Sequence, residues 1–338
     1  MKVSRSRRAR RTALVVFVAA LAATAAVAAT VGTAGTTKQV KVTNIAFFGF
    51  AKANSFANAT WAGVQQTAKA RGVKATFFDP NFNAQTQVSQ IQDAITSGKY
   101  QAFIIQANDG NAVVPAVKSA LKAGITVVAE FTPIGPRYDT DKSQVPGMIF
   151  VGESPVANGV GLGKMAVQAC KGKDPCNVAY LEGFKALPLD NARTASVKKT
   201  LAAAKNVKVV ASVEGGYTAA SGLKAAQDVI QAHPDVNVIV GSAQAIQGAE
   251  QAVKSAKLTG KVKLIGNGGS CQALAGVRSG RWFGTYVLAE RSAGAKAAEL
   301  AIKAENGAKV PTSFNTSKLV NPIGTKANLG TFKAQYCD

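Results

Sequence analysis

The sequence predicts an α/β protein of two doubly wound parallel-sheet lobes. Three observations carry that expectation. From residue 42 onward, short β-branched or aromatic runs alternate with Ala-rich amphipathic stretches. The alternation restarts at Gly147, giving a second run as large as the first. With 338 residues, 47% of them hydrophobic, the chain can fill more than one core. Strand, helix, glycine, strand is the rhythm of right-handed βαβ units on a parallel sheet.

In the first run Val42 to Phe48 reads as a buried strand and Asn58 to Ala70 as a helix ending at Gly72. Val73 to Phe78 is the next strand, and Ala84 to Ser97 the next helix, closing at Gly98. Phe103 to Gln106 is strand, Asn111 to Ala123 helix with Gly124 as its stop, and Ile125 to Glu130 strand again. In the second run Gly147 to Val151, Asn177 to Leu181, Val207 to Val213 and Val236 to Val240 are strands. Between them lie helices over Val156 to Cys170, Ala192 to Ala204 and Ser221 to Ala232. Ala245 to Ala256, Val262 to Ile265, Cys271 to Gly276 and Trp282 to Leu288 complete the set, and a last helix runs from Arg291 to Asn306.

The front end reads as an export signal. Lys2, Arg5, Arg7, Arg8, Arg10 and Arg11 form a basic segment, Ala13 to Ala29 an apolar one, and small residues follow. Residues 1–31 are therefore expected to be a signal peptide, with an uncleaved membrane anchor as the competing reading. The net charge is +22, from 40 basic and 18 acidic residues. Removing the six basic residues of the signal leaves 34 against 18, or +16. The remaining lysines are scattered and no basic-aromatic stripe occurs, so anionic surfaces suit this charge better than nucleic acid.

Export gives the cysteines a meaning, because thiols outside the cytoplasm tend to pair. Cys170 and Cys176 bracket a turn-rich loop and are expected to close locally. Cys271 and Cys337 remain as a second pair, which needs the C-terminal tail to fold back.

In open α/β sheets ligands bind beyond the carboxyl ends of the strands. Seven segments stand there: Lys52 to Phe56, Gln106 to Gly110, Glu130 to Thr132, Asp190 to Arg193, Gly215 to Tyr217, Ser242 to Gln244 and Asn267 to Gly269. Their amides, few charges and aromatic rings suit a cleft that hydrogen-bonds a neutral polar molecule and stacks on its apolar face. Asx turns and helix caps are the ordinary alternative for each. Gly159-Val160-Gly161-Leu162-Gly163 lacks dinucleotide-loop spacing and lies in a predicted helix, so helix packing accounts for it better. No phosphate loop or nucleophile elbow occurs, and the single histidine, His233, lies in a polar turn. Asp139 and Asp141 lack the further spaced acids of a cation loop. No metal or cofactor is expected.

The order of these segments resembles the ribose- and galactose-type periplasmic sugar-binding proteins, the type I solute receptors of ABC importers, which share a ligand-binding core with LacI-type repressors. The marks are Ile45-Ala46-Phe47-Phe48 followed by Asn54-Ser55-Phe56, where the family has Asn-Pro-Phe, then Gly124-Ile125-Thr126-Val127-Val128 and His233-Pro234-Asp235-Val236. The resemblance covers about residues 42–310. It implies two lobes joined by three crossings near residues 152, 288 and 309: one lobe of 40–152 plus 289–308, the other of 153–288 plus 309–338. It implies Asn54 as a ligand hydrogen-bonder, Phe56 and Tyr217 as stacking rings, Gln106 as a polar contact, and Asn191 or Arg193 as a contact from the second lobe.

Departures from the family pattern shape the expected ligand. Phe131-Thr132 stands where sugar receptors have Asp-Arg, Ala243-Gln244 where they have Asn-Asp, and Gly266-Asn267-Gly268-Gly269 where they have Gly-x-Asp-Gly. Phe131, Gln244 and Asn267 thus join the expected site, which suits a sugar-like or a less polar, partly aromatic solute. The implied function is an extracytoplasmic, monomeric receptor that closes on its ligand and delivers it to an ABC permease. An exported sensor of the same fold and an exported α/β enzyme are the rival readings. The enzyme reading lacks a nucleophile-base pair, Asp109 and Glu130 being the acids near strand ends.

Overall fold

A computed structural model describes residues 42–338, so the expected export segment lies outside the described residues. In chain order the first run is β1 (Asn44–Phe48), α1 (Ser55–Ala70), β2 (Lys74–Phe78), α2 (Ala84–Ser97), β3 (Ala102–Ile105), α3 (Val114–Lys122), β4 (Thr126–Glu130) and β5 (Ile149–Gly152). The second is α4 (Pro155–Ala169), β6 (Cys176–Glu182), α5 (Pro188–Ala202), β7 (Val207–Glu214), α6 (Ala219–Ala232), β8 (Val238–Val240), α7 (Ala243–Ser255), β9 (Lys263–Asn267), α8 (Cys271–Ser279) and β10 (Gly284–Tyr286). Then come α9 (Glu290–Glu305), β11 (Ser313–Asn315) and β12 (Ile323–Thr325).

The strands form two sheets, in the orders β11-β5-β4-β3-β1-β2 and β12-β10-β9-β8-β6-β7. Every pairing is parallel except β10 with β12. β3, β5 and β6 are buried at every residue, as continuous apolar strands covered on both faces must be. Pleating sends neighbours to opposite faces: Phe48 joins Phe103 and Phe150 in one core, and Phe47 joins Ile45 and Ile104 in the other. The second sheet divides likewise, with Leu181 on one side and Tyr180 on the other.

The chain passes between lobes three times. Glu153-Ser154 leads from β5 to α4, and Val287 to Ala289 leads from β10 to α9, which packs on α1, β3 and β4 of the first lobe. The third passage falls later than the expected 309, because Ser313 to Asn315 pair with Phe150 to Gly152 of the first sheet before β12 enters the second. That three-residue strand carries little periodicity, and only its partner defines it.

Glycines let helices approach closely. A Cβ at Gly63 of α1 would fall on the carbonyl oxygen of Arg291, and one at Gly294 of α9 on that of Thr60. We expect Gly294→Ala to destabilise by about 1–3 kcal/mol through overpacking, read as a lower urea midpoint at unchanged slope. A midpoint equal to wild type would show that α1 and α9 separate freely. The same logic explains Gly159 and Gly163 of α4, whose added Cβ atoms would strike Ser196 and Thr200 of α5. Both expected disulfides, Cys170–Cys176 and Cys271–Cys337, are present. Among the described residues no helix is long and apolar enough to cross a membrane, and no group of His, Cys, Asp or Glu could hold a metal ion. Asp139 is bound by Arg137, and Asp141 by Lys142 and Asn315.

Candidate functional site

Both sheets reverse their strand order, the first between β1 and β3 and the second between β6 and β8. Such a switch point opens a crevice beyond the strand carboxyl ends. The two crevices share one cavity, lined from both lobes. The first lobe contributes Phe50 and Asn54 after β1, Phe56 at the start of α1, Phe82 after β2, Ala107 and Asn108 after β3, and Phe131 after β4. The second contributes Leu187, Leu189, Asp190 and Arg193 after β6, Tyr217 after β7, Gln244 after β8, Asn267 at the end of β9 and Leu288 after β10.

The first-lobe wall is aromatic. Phe56 meets Phe131 edge to face at 4.6 Å, and Phe50 meets Phe131 at 6.2 Å in the same way. Phe50 and Phe82 are stacked at 6.4 Å. Phe82 and Phe131 carry φ values of 59° and 63°, a left-handed conformation that opposes a bulky side chain. Strain of this kind, on the order of 1–3 kcal/mol per residue, persists where the surroundings fix it and gathers at functional sites.

The second-lobe wall holds a buried polar network. Arg193 Nη1 donates to Asp190 Oδ1 at 2.7 Å, and the Tyr217 hydroxyl donates to the same oxygen at 2.5 Å. The Phe184 N–H donates to Asp190 Oδ2 at 2.9 Å. Arg193 Nε donates to Asn158 Oδ1 at 2.6 Å, and Asn158 and Asn267 exchange amide bonds at 3.0 and 3.2 Å. Burial pushes the Asp190 carboxyl up, against the pull of the Arg193 charge and the bonds from Tyr217 and Phe184. Burial also opposes the Arg193 charge, but Tyr217 and Asp190 more than offset it and hold the guanidinium above its ordinary value. The pair cancels in charge, so the cavity presents no net charge to a solute.

Contacts cross from lobe to lobe at the cavity mouth. Gln244 Nε2 donates to Ser55 Oγ at 3.0 Å, and Ser55 Oγ donates to Asp338 Oδ1 at 2.7 Å. The Cys271–Cys337 disulfide holds the tail there. Phe82 stacks parallel to Tyr217 at 6.3 Å and meets Phe184 edge-on at 5.1 Å, while the Arg193 guanidinium lies 6.0 Å from the centre of the Phe131 ring. This is a closed arrangement.

Seven residues expected from sequence line the cavity: Asn54, Phe56, Phe131, Arg193, Tyr217, Gln244 and Asn267. Two do not. Gln106 follows the pleat of β3 behind the cavity, where Nε2 donates to Thr60 Oγ1 at 3.0 Å and to Glu130 Oε2 at 2.7 Å. Asn191 is exposed and its amide donates to the Lys185 carbonyl, because α5 begins at Pro188 rather than Ala192. Asp190 and Arg193, three apart, then share the inward face, and Asn191 is turned away from it. Asn54 also does a second job, since its Oδ1 caps α1 by accepting the Ala57 N–H at 2.9 Å. Asn108 and Asp190 also line the cavity, from two of the expected strand-end segments, and Phe50 and Phe82 line it from outside those segments, a few positions after β1 and β2.

The model of the periplasmic binding protein domain matches residues 45–309. The D-ribose/D-allose-binding protein of Pseudomonas aeruginosa is 30% identical over 187 residues, covering 54% of this chain and 56% of that relative. The ribose import binding protein of Bacillus subtilis is 27% identical over 258 residues, covering 75% of this chain and 78% of that relative. Among solved structures, an ABC transporter solute binding protein from Bacillus halodurans with bound myo-inositol shares the fold at a TM-score of 0.75 and 17% identity, covering 89% of this chain and 100% of that one. A periplasmic solute binding protein from Actinobacillus succinogenes with bound D-allose does so at 0.73 and 24%, covering 86% and 100%.

Proposed function

We propose, on the premise that this chain belongs to the periplasmic binding protein domain family, that it is the extracytoplasmic receptor of an ABC importer. It binds a small, mostly neutral solute between its lobes and presents the closed form to a membrane permease, unaltered solute included. The single observation that carries this reading is the shared cavity, walled from both lobes by strand carboxyl ends and bridged at its mouth. A solute that touches both walls favours the closed state by its differential affinity, which is the thermodynamic content of lobe closure. Relatives named for ribose and allose support the import role.

Binding without turnover fits the chemistry of the wall. Among the described residues Asp190 is the one carboxylate lining the cavity, and Arg193, Tyr217 and the Phe184 N–H already engage it. The ligand set we propose is Asn54, Phe56, Phe131, Arg193, Tyr217, Gln244 and Asn267, acting from a monomer after removal of residues 1–31. Each hydrogen bond or stacked ring contributes about 1 kcal/mol, and burial of the solute's apolar surface adds to them. Small-angle scattering tests the proposal: adding a bound solute is expected to reduce the radius of gyration. Identical scattering with and without a solute shown to bind by calorimetry would rule out closure.

A further inference from the structure

We propose that the cavity is built for a neutral, planar, nitrogen-containing ring carrying an adjacent N–H and C=O, of the lactam, cyclic imide or nucleobase type, in preference to a polyhydroxylated sugar. The proposal rests on the receptor reading above and names its solute class.

Asn108 carries the argument. It lines the cavity, is 1% exposed, and neither its Oδ1 nor its Nδ2 has a partner. Its backbone N–H is held by Gln87 Oε1 at 2.8 Å, so the residue is anchored while its amide is left open. Leaving a buried donor or acceptor unsatisfied costs about 1–3 kcal/mol, which a complementary solute recovers. A carboxamide offers one donor and one acceptor side by side. Its complement is the reverse pair, an N–H next to a C=O, engaged in a two-point contact like that of asparagine with a base edge.

The body of the solute follows from the rest of the first-lobe wall, around Asn108. Phe50, Phe56, Phe82 and Phe131 offer ring faces and edges but no polar atom. Two of these rings are held at positive φ, a backbone cost that a merely space-filling residue would not require. Flat π systems are matched by such offset and edge-on rings. A sugar would bring hydroxyls around its whole rim, and each one buried against phenylalanine loses its water without replacement. The acid best suited to grip hydroxyls, Asp190, is already bonded by Arg193 and Tyr217. Its charge is cancelled by Arg193, which favours a neutral ring over an ionised one.

The test titrates the purified full chain with uracil, 2-pyridone and hypoxanthine in one panel, and ribose, allose and myo-inositol in the other, by thermal shift and calorimetry. At least one ring compound is expected to bind at micromolar concentration, and the sugars at least 100-fold more weakly. Asn108→Leu, which keeps the volume and removes both polar atoms, is expected to weaken the ring compound tenfold or more while leaving the melting temperature of the free protein unchanged or raised. Asn108→Asp, acceptor only, is expected to weaken it similarly. A sugar that binds and compacts the protein while the rings do not overturns the solute class and leaves the receptor reading standing. Unchanged affinity in Asn108→Leu overturns the assignment of Asn108. If neither panel binds, the ring proposal is overturned, and mass spectrometry of co-purifying solute decides the receptor reading separately.

Discussion

Arg193→Met is expected to destabilise the fold by about 3–5 kcal/mol and to abolish solute binding. The side chains of Arg193 and Asp190 are 6% and 2% exposed, and they lie 2.7 Å apart. Water therefore screens neither, and deleting the guanidinium strands a buried carboxylate. The loss extends further, because Asn158 forfeits the Nε bond that orders its exchange with Asn267, and Phe131 forfeits the cation over its ring. A double variant, Asp190→Asn with Arg193→Met, is expected to be more stable than Arg193→Met alone, since the amide removes the stranded charge and still accepts from the Phe184 N–H. Urea denaturation of the four proteins completes the cycle. A coupling energy near zero would mean that the pair is solvated and contributes no more than a surface ion pair.

Raising the pH from 5 to 8 is expected to lower stability by several kcal/mol. Burial pushes the Glu153 carboxyl up from 4.5 to about 7, against a bond from Tyr286 and the charge of Arg193. Burial pushes Glu130 up to about 8, against the bond from Gln106. Glu290 is also raised well above its usual value, by burial first and then by the nearby charges of Asp338 and Glu130. Two of the three lie where the lobes join, Glu153 in the first crossing and Glu290 at the end of the second, while Glu130 ends β4. In the unfolded chain these acids ionise near pH 4.5, whereas in the fold they stay protonated. The unfolded state therefore binds fewer protons between 4.5 and the raised values, and stability falls there by up to about 1.4 kcal/mol per pH unit for each group. The stabilisation is fully present below pH 4.5; the part from Glu153 is lost by about pH 7 and the part from Glu130 by about pH 8. Asp139, Asp141 and Glu299, lowered by their partners, act below this window with the opposite sign. Glu153→Gln is expected to flatten the decline up to about pH 7, and Glu130→Gln up to about pH 8. Equal stability of wild type at pH 5 and 8 would show that both acids are ionised in the fold.

Much of this was legible in the residues. The strand-helix alternation, the restart at Gly147 and the closing glycines depend on periodicity and local backbone preference, which the chain carries with it. The residue pattern places the starts of α1 and α5 three or four residues late, because Asn54 and the Leu187-Pro188 step act as a cap and a first turn that polar composition alone disguises. That shift of register is why Asn191 is turned away from the cavity and Asp190 lines it.

By itself the sequence determined the two α/β runs and the loops from which a site could be built. Only the tertiary structure decided which side chains on those loops face one another. It placed Ser313 to Asn315 in the first sheet, turned Gln106 back toward Thr60, and left the Asn108 amide unpaired among phenylalanines. The reason is physical: side-chain direction along a strand or helix is set locally by period, whereas partners across a crevice are set by packing between segments far apart in the chain.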